Sequence, residues 1–328
     1  MQKGAIRKKW LISASCLALA LILSLKVTRP QEMTRNFSIE SALVTVPAIV
    51  TDSQGRFVPG LKAGSFKLFQ DGVQVPISMF LTSEDPVKIA LMLDTSRSTT
   101  TVLKNIKKAA RRFLRQMRPQ DSAMVVSFDS DIQVLCPLSS DQRELQDGIE
   151  SAKAAGSTTR MRDAILEIAQ RRFRSISGRK AIVLLTDGQD HGSQISSADL
   201  VQAMAASSTL IYSIYYTVDP RELMKELTGI KPRRPYGRVG NSGWDDMERE
   251  AARYLRELSE SSAGRFYQSS VTEFDDAFRQ ISDELRAQYL IGFYPEKSKL
   301  DGNSHTLELQ VLVQGASVRC RKSYRATS

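Results

Sequence analysis

Three nearly uninterrupted apolar runs constrain the fold of this 328-residue chain more than any other feature. They occupy residues 87–93, 181–185 and 210–215. Strands that are apolar on both faces are buried on both faces, as in a parallel sheet covered by helices. Between the first two runs, residues 102–117 place their apolar side chains on one helical face. The sequence therefore predicts an α/β domain with a doubly wound, mostly parallel sheet.

Strand-like sequence lies on both sides of this domain. Residues 38–85 include Asp71-Gly72 between two alternating segments, which is a strong hairpin signal. Residues 288–325 also alternate between apolar and polar positions. Two or three strands are marginal as an independent core. We therefore expect both flanks to form one β-sandwich, with the α/β domain of residues 86–287 inserted between them.

The N-terminal segment, residues 1–29, has the composition of a targeting sequence. Arg7-Lys8-Lys9 precedes residues 10–25, which carry no charge, and this order is typical of a secretory signal. No convincing cleavage site follows, and a helix over residues 10–25 would span roughly 24 Å, less than the roughly 30 Å hydrocarbon layer. A cleaved signal peptide and an uncleaved anchor in the inner membrane both stay open. Either predicts an extracytoplasmic protein, in the periplasm or at the cell surface.

Charge and cysteine content exclude two further classes of protein. The net charge is +10, but six of the 46 Lys and Arg residues lie in residues 1–29, which contain no acid. The remainder is only weakly basic, which does not indicate nucleic-acid binding. Beyond Cys16, the chain contains only Cys136 and Cys320, each in an apolar, strand-like run. We expect small buried thiols and no disulfide framework.

Oxygen-bearing side chains cluster in three loops beside the predicted strands. The sequence DTSRS at 94–98 follows the first apolar run, and TDG at 186–188 follows the second. The sequence GSTT at 156–159 precedes a predicted helix. Ligands of such sheets bind at the carboxyl ends of the strands, so we expect the three loops to converge. Carboxylate and hydroxyl oxygens are ligands of hard cations, so the loops predict a site for Mg²⁺ or Mn²⁺.

In these motifs the central region resembles the von Willebrand factor type A domain with its metal-ion-dependent adhesion site. The family pattern is D-x-S-x-S, a later Thr before a helix, and an Asp in T-D-G. Counting back from Asp163 selects Thr159 as the Thr, whereas counting forward from Gly156 selects Thr158. With Thr158 kept as the alternative, the resemblance implies these metal ligands: Asp94, Ser96, Ser98, Thr159 and Asp187.

The flanks extend the resemblance to a bacterial subgroup, the VWFA-related domain proteins. It rests on the sequences VTDSQG at 50–55, FQDG at 69–72 and QYLIGFYP at 288–295. These relatives are mostly exported, and the resemblance implies metal-dependent binding of a protein that offers an Asp or Glu carboxylate. Arg97 stands where the family usually has Gly, and a long insertion contains further basic residues. The expected partner contacts are Arg97, Arg233, Arg234 and Tyr236.

Two other functions stay open at the level of sequence. The metal could merely hold the loops together in a structural scaffold of the cell envelope, in which case no partner would bind in a metal-dependent way. A metal-dependent hydrolase is the third possibility. However, the chain has only two histidines, His191 and His305, and neither a nucleophile elbow nor a zinc signature. We therefore do not expect an enzyme.

Overall fold

The computed structural model describes residues 43–217, 242–270, 273–299 and 301–327. In this part of the chain the β-strands are β1 Val44–Thr51, β2 Phe66–Gln70, β3 Val73–Val75, β4 Met79–Leu81, β5 Val87–Asp94, β6 Ser122–Phe128, β7 Ile132–Ser139, β8 Arg179–Thr186, β9 Thr209–Tyr215, β10 Arg265–Gln268, β11 Gln288–Phe293, β12 Asp301–Val311, β13 Ser317–Cys320 and β14 Ser323–Thr327. The α-helices are α1 Leu103–Arg115, α2 Gln142–Ser151, α3 Met161–Glu167, α4 Ser197–Ala205, α5 Ser242–Ser261 and α6 Phe274–Ala287.

The central sheet has six strands in the order β10-β9-β8-β5-β6-β7. Neighbouring strands are parallel except for β7, which forms an antiparallel hairpin with β6. Helices α1, α2 and α6 contribute to the apolar core on one face, and α3, α4 and α5 contribute to the core on the other. The predicted doubly wound α/β fold is therefore confirmed, and its central strands are buried on both faces as their composition requires.

Helix α1 is amphipathic, and its apolar face covers the sheet. Ile106, Ala110 and Phe113 are buried at helical spacing. The ring of Phe113 stacks on that of Phe278 in α6, with 4.7 Å between centroids. Because α1 follows the loop 94–98 closely in sequence, its packing also fixes where that loop can lie.

The two flanks share a β-sandwich. One four-stranded sheet has the order β13-β1-β11-β4, and the other has the order β14-β12-β2-β3. Each sheet thus combines strands from before and after the α/β domain, and their inner faces form one apolar core. The rings of Phe66 and Tyr289, one from each sheet, lie 5.3 Å apart. The predicted insertion of the α/β fold between paired β flanks is confirmed. The predicted hairpin is also present as β2–β3, and its turn residues Asp71 and Gly72 both have positive φ.

Buried charged groups connect the sandwich to the α/β domain. Arg179 is fully buried and donates hydrogen bonds to the carbonyl oxygens of Asp85, at 2.6 Å, and Leu285. Glu284 in α6 pairs with Arg319 in β13 and with Arg265, whose Nε lies 3.1 Å from Glu284 Oε2. Burying these charges is tolerable because they are paired or hydrogen-bonded.

The remaining expectations from the sequence concern the thiols and the N-terminus. Cys136 and Cys320 are free thiols, as predicted, with Cys136 buried and Cys320 partly buried. Residues 1–29 lie outside the described residues. Within the described ranges, no helix combines the length and the apolarity needed to cross a bilayer.

Candidate metal centre

Two of the three predicted loops meet because their strands are neighbours in the sheet. Strands β5 and β8 run parallel, with Leu93 opposite Leu185, and they end one residue later at Asp94 and Thr186. The Thr186 hydroxyl donates a hydrogen bond of 2.8 Å to Asp94 Oδ2. The carboxyl ends of both strands therefore bring the loops 94–98 and 186–188 together.

The third loop joins the first through backbone contacts. Ser96 and Gly156 form an isolated parallel bridge, and the Arg97 amide donates to the Gly156 carbonyl oxygen at 3.1 Å. A Cβ atom at position 156 would lie 2.2 Å from Cβ of Asp129, so only glycine allows this approach. The predicted convergence of the three loops is thus seen in the structure.

Hydroxyl groups surround the Asp94 carboxylate. The Ser96 amide and hydroxyl both donate to Asp94 Oδ1, at 3.0 and 2.6 Å. The hydroxyl oxygens of Ser96 and Ser98 lie 3.0 Å apart. Asp94, the Ser96 hydroxyl and the Ser98 hydroxyl therefore form a short chain of contacts, and such a group of oxygens suits a hard cation.

Asp187 supplies a second carboxylate, which is 6% exposed. Its Oδ1 accepts a 3.1 Å hydrogen bond from the Gln189 amide. Its Oδ2 is buried and accepts no hydrogen bond from any residue that the structure describes. A buried carboxylate oxygen without a donor is unusual, and an oxygen of this kind can serve as a ligand of a cation.

The adjacent threonines of the third loop differ in environment. Thr159 is 4% exposed, whereas Thr158 is exposed. The carbonyl oxygen of Thr159 accepts hydrogen bonds from the amides of His191, at 3.2 Å, and Gly192, at 2.9 Å. These contacts hold the third loop against the segment that follows Asp187.

The electrostatics of the two carboxylates fit a cation between or beside them. Burial raises the pKa of Asp94 well above its ordinary value, and the Asp187 carboxylate raises it further. Burial also raises the pKa of Asp187, and the neighbouring Ser98 hydroxyl opposes this change. None of the ion pairs in the described ranges includes either carboxylate. The donor set therefore suits a divalent cation.

Hydroxyls must complete such a site. Among the residues that the structure describes, no group of three or more His, Cys, Asp or Glu side chains could hold a metal ion. Two carboxylates alone leave most positions of a six-coordinate ion unfilled. The hydroxyls of Ser96 and Ser98 lie together at this edge of the sheet, and Thr159 is buried in the third loop.

Three further residues, none of them among the predicted ligands, shape this edge of the sheet. Asp129 follows β6 and accepts a 2.9 Å hydrogen bond from the Thr95 hydroxyl, so it holds the first loop. Gly188 has φ +75°, and a Cβ there would lie 2.9 Å from Cβ of Ala251, so it lets α5 approach. Tyr216 is fully buried, and the two carboxylates raise its pKa together with burial, which is the larger cause. Asp129 and Tyr216 both follow strand ends, a signal that the sequence contains.

Only one of the four predicted partner contacts lies in the part of the chain that the structure describes. Arg97 is exposed within the first loop. Arg233, Arg234 and Tyr236 lie outside the described residues.

Comparison with known proteins agrees with this reading of the central region. Residues 89–189 match the family model described as the von Willebrand factor type A domain. No curated protein matches the chain significantly.

Three solved structures illustrate the similarity. The conserved hypothetical protein BatB from Bacteroides thetaiotaomicron is 20% identical, and the match covers 61% of this chain and 97% of that chain with a TM-score of 0.43. A von Willebrand factor type A protein from Catenulispora acidiphila is 13% identical. The match covers 89% of this chain and 75% of that chain, with a TM-score of 0.47. Proximal thread matrix protein 1 from the mussel byssus, with a zinc-occupied MIDAS motif, is 15% identical. The match covers 67% of this chain and 50% of that chain, with a TM-score of 0.48.

Proposed function

Because residues 89–189 match the von Willebrand factor type A family model and lie in an α/β domain of the expected fold, we propose that this chain is a metal-dependent protein-binding module. Such domains are commonly protein-interaction modules. In this proposal the site holds Mg²⁺ or Mn²⁺ and captures an Asp or Glu carboxylate of a partner protein. The proposed ligands are Asp94, Ser96, Ser98, Thr159 and Asp187, with Thr159 preferred to Thr158 because it is buried at the same edge.

One observation carries the proposal. Asp94 and Asp187 are two buried carboxylates at one strand edge, and Asp187 Oδ2 has no hydrogen-bond donor within the described residues. Two adjacent buried negative charges without a cation are costly, since each has lost its hydration. A divalent cation bound beside both carboxylates would offset that cost.

Each protein group has a distinct role in this site. The Thr186 hydroxyl orients Asp94 through Oδ2, and the Ser96 amide holds Oδ1. Neutral hydroxyl ligands add no charge, so a bound cation would keep its attraction for an outside carboxylate. Arg97 is exposed within the first loop and adds a positive charge that suits an acidic partner.

The proposal places the protein outside the cytoplasm, in the periplasm or at the cell surface. The basis is residues 1–29, where a basic stretch precedes an uncharged apolar one. An uncleaved segment would anchor the chain in the membrane, and a cleaved one would release it. No catalytic role is assigned, because the described site offers no activated nucleophile and no histidine paired with one.

The proposal is tested by titrating Mg²⁺ and Mn²⁺ into the full-length protein in a calorimeter. We expect binding in the wild type and a loss of at least about 100-fold in affinity for Asp94→Ala, because a direct or water-mediated ligand is removed. Added metal should also raise the thermal midpoint of the wild type but not of the variant, since only the wild type gains binding energy in the folded state.

The matched control is Asp131→Ala. Asp131 is an exposed carboxylate in the β6–β7 turn, on the same side of the sheet. Its removal should leave metal affinity unchanged. Equal affinities for wild type and Asp94→Ala would show that the site is wrongly assigned. If the protein is instead a structural scaffold, it should still bind the metal. A pull-down from the cell envelope should then recover the same proteins in Mg²⁺ and in chelator.

A further inference from the structure

A cavity of about 390 Å³ lies directly beside the candidate metal centre. The loop of residues 187–191, which includes Asp187, lines the cavity together with residues of α3, α4 and α5. Gly188 makes this arrangement possible, because α5 packs where a side chain would otherwise project. Because Asp187 lines the cavity, one ligand could contact both the metal and the cavity.

Part of the cavity lining is apolar. Met161 is fully buried, and Val201 and Ala251 are partly buried against the core of this face. Met247 is a large apolar side chain that is 48% exposed at the same cavity. Covering Val201, Ala251 and Met247 with an apolar group removes their exposed surface, and that of the group, from water, which is favourable.

Two buried polar atoms at the cavity are without hydrogen bonds inside the described part of the chain: the Tyr254 hydroxyl and Arg162 Nε. Arg162 Nε is 3.5 Å from Asp190 Oδ2, which is an ion pair but too long for a hydrogen bond of good geometry. Both groups are hydrogen-bond donors, and a side-chain rotation that turned either one toward the cavity would let it bind a carbonyl oxygen of a ligand, such as a peptide backbone.

The outer rim of the cavity is acidic. Glu248, Glu250 and Glu257 are exposed on α5 and line it. Arg253 lies 4.0 Å from Glu250, and in the described ranges neither Glu248 nor Glu257 forms an ion pair. A ligand that covers the apolar part of the lining would therefore gain from a Lys or Arg, but not from a second acid, at the rim.

We propose that this cavity is a second subsite for the partner, and that it accepts an apolar side chain of the same peptide segment whose carboxylate binds the metal. This inference rests on the proposed function. The partner is thus a protein segment in which one Asp or Glu is followed or preceded at short spacing by a large apolar residue, with a basic residue next to it.

The test uses the full-length protein and synthetic Gly/Ser peptides that contain one Asp and one Leu at separations of one to five residues. Binding is measured by fluorescence anisotropy in Mg²⁺ and in chelator. At the best spacing the Leu peptide should bind at least about tenfold more tightly than the same peptide with Ser, because the Leu side chain is buried. Lys beside the Leu should strengthen binding, and Glu there should weaken it.

The decisive variant is Ala198→Trp. Ala198 is exposed and lines the cavity, so the indole fills the space without disturbing the core. We expect the advantage of Leu over Ser to disappear, with Mg²⁺ affinity and binding of the Ser peptide unchanged. Gln202→Trp is the matched control, because Gln202 is exposed on the same helix but does not line the cavity.

The outcomes separate the two proposals. If the Asp peptides bind in Mg²⁺ but Leu gives no advantage, or if Ala198→Trp leaves that advantage intact, the subsite is overturned while the metal site stands. If Mg²⁺ binds and no peptide does, the subsite is also overturned. If Mg²⁺ itself does not bind, the proposed function fails, and this inference fails with it.

Discussion

Thr158 and Thr159 differ in burial although they are neighbours in the chain. Thr159 is buried, and its carbonyl oxygen is bonded to the segment after Asp187, whereas Thr158 is exposed. Thr159→Ala should therefore weaken Mg²⁺ binding by at least about tenfold, which corresponds to about 1.4 kcal/mol. Calorimetric titration of the full-length protein measures the change.

Thr158→Ala is the natural control for this prediction. It removes the same hydroxyl and methyl groups one position earlier, so it should leave Mg²⁺ affinity within about twofold of the wild type. A larger effect at position 158 than at 159 would assign the ligand to Thr158, the alternative that the sequence left open. Equal, small effects would mean that neither hydroxyl contacts the metal.

For single residues, the sequence predicts which residue types lie at the site better than it predicts which way their side chains point. Asp94 and Asp187 could be recognised because carboxyl ends of parallel strands collect ligands at one edge. The choice between the two threonines depends on which hydroxyl faces inward, and this is set by the backbone path of the third loop. The need for glycine at position 156 depends on Asp129, a contact that no local pattern reveals.

Among the elements, the hairpin β2–β3 is held to β12 by a network around one histidine. His305 Nδ1 lies 2.9 Å from Asp71 Oδ2, and its Nε2 lies 3.1 Å from Asp301 Oδ1. Asp71 also accepts hydrogen bonds from Lys299 and from the Thr306 amide. Burial alone lowers the pKa of His305, but hydrogen bonds to the two carboxylates outweigh it and raise the pKa above its ordinary value.

The direction of these shifts fixes how stability depends on pH. A raised pKa means that protonated His305 stabilises the fold fully below its unfolded pKa of about 6.5, and that this contribution is lost as pH rises through the higher folded pKa. Hydrogen bonds from Asn303 and His305 lower the pKa of Asp301 to about 2, so its contribution disappears only in strong acid. The network is therefore strongest in mildly acidic solution.

His305→Gln should lower the thermal midpoint by a few degrees at pH 5.5 and by clearly less at pH 9, because the charged pairs are lost only where the histidine is protonated. Thermal unfolding in metal-free buffer, followed by circular dichroism, measures both values. His191→Gln is the control, since His191 is exposed and pairs with no carboxylate in the described residues. An equal loss of stability at both pH values would contradict the assignment of charge to His305.

The hairpin itself could be predicted from Asp71-Gly72 alone, since this dipeptide suits a turn in which both residues have positive φ. The histidine network could not. Asp71 and His305 are 234 positions apart, so their contact follows only once β2 and β12 are known to pair. Local signals of this kind identify elements, and long-range pairing decides which side chains meet.

On the scale of the whole molecule, the sandwich depends on strands from both ends of the described chain. β1 is hydrogen-bonded to β11 on one side and β13 on the other, and β2 is bonded to β12. Strand counts in the sequence predict this sharing, because neither flank can bury a core alone. They do not predict the buried contacts of Arg179 and Glu284 across the junction, whose partners are distant in sequence.

A chain that ends at residue 287 should therefore lose the sandwich and keep the α/β domain. Without β11, β12, β13 and β14, the strand β1 has no neighbour left, whereas all six strands of the central sheet remain. Limited proteolysis with mass spectrometry should show rapid cleavage within residues 43–85 and a resistant core over residues 86–287. A stable fragment of the first flank, or loss of the α/β domain as well, would refute the shared sandwich.

The truncated α/β domain should also be less stable than the same domain in the full chain, for a specific electrostatic reason. Glu284 is 1% exposed and pairs with both Arg265 and Arg319, and the truncation removes Arg319. A buried charge that loses one of two partners costs about 1–3 kcal/mol, less than the cost of losing its only partner. Glu284→Gln removes that charge, so it should recover part of the stability in the truncated chain while destabilising the full-length chain. Urea unfolding of the four proteins gives this comparison, and the same sign of effect in both backgrounds would show that Glu284 does not connect the sandwich to the α/β domain.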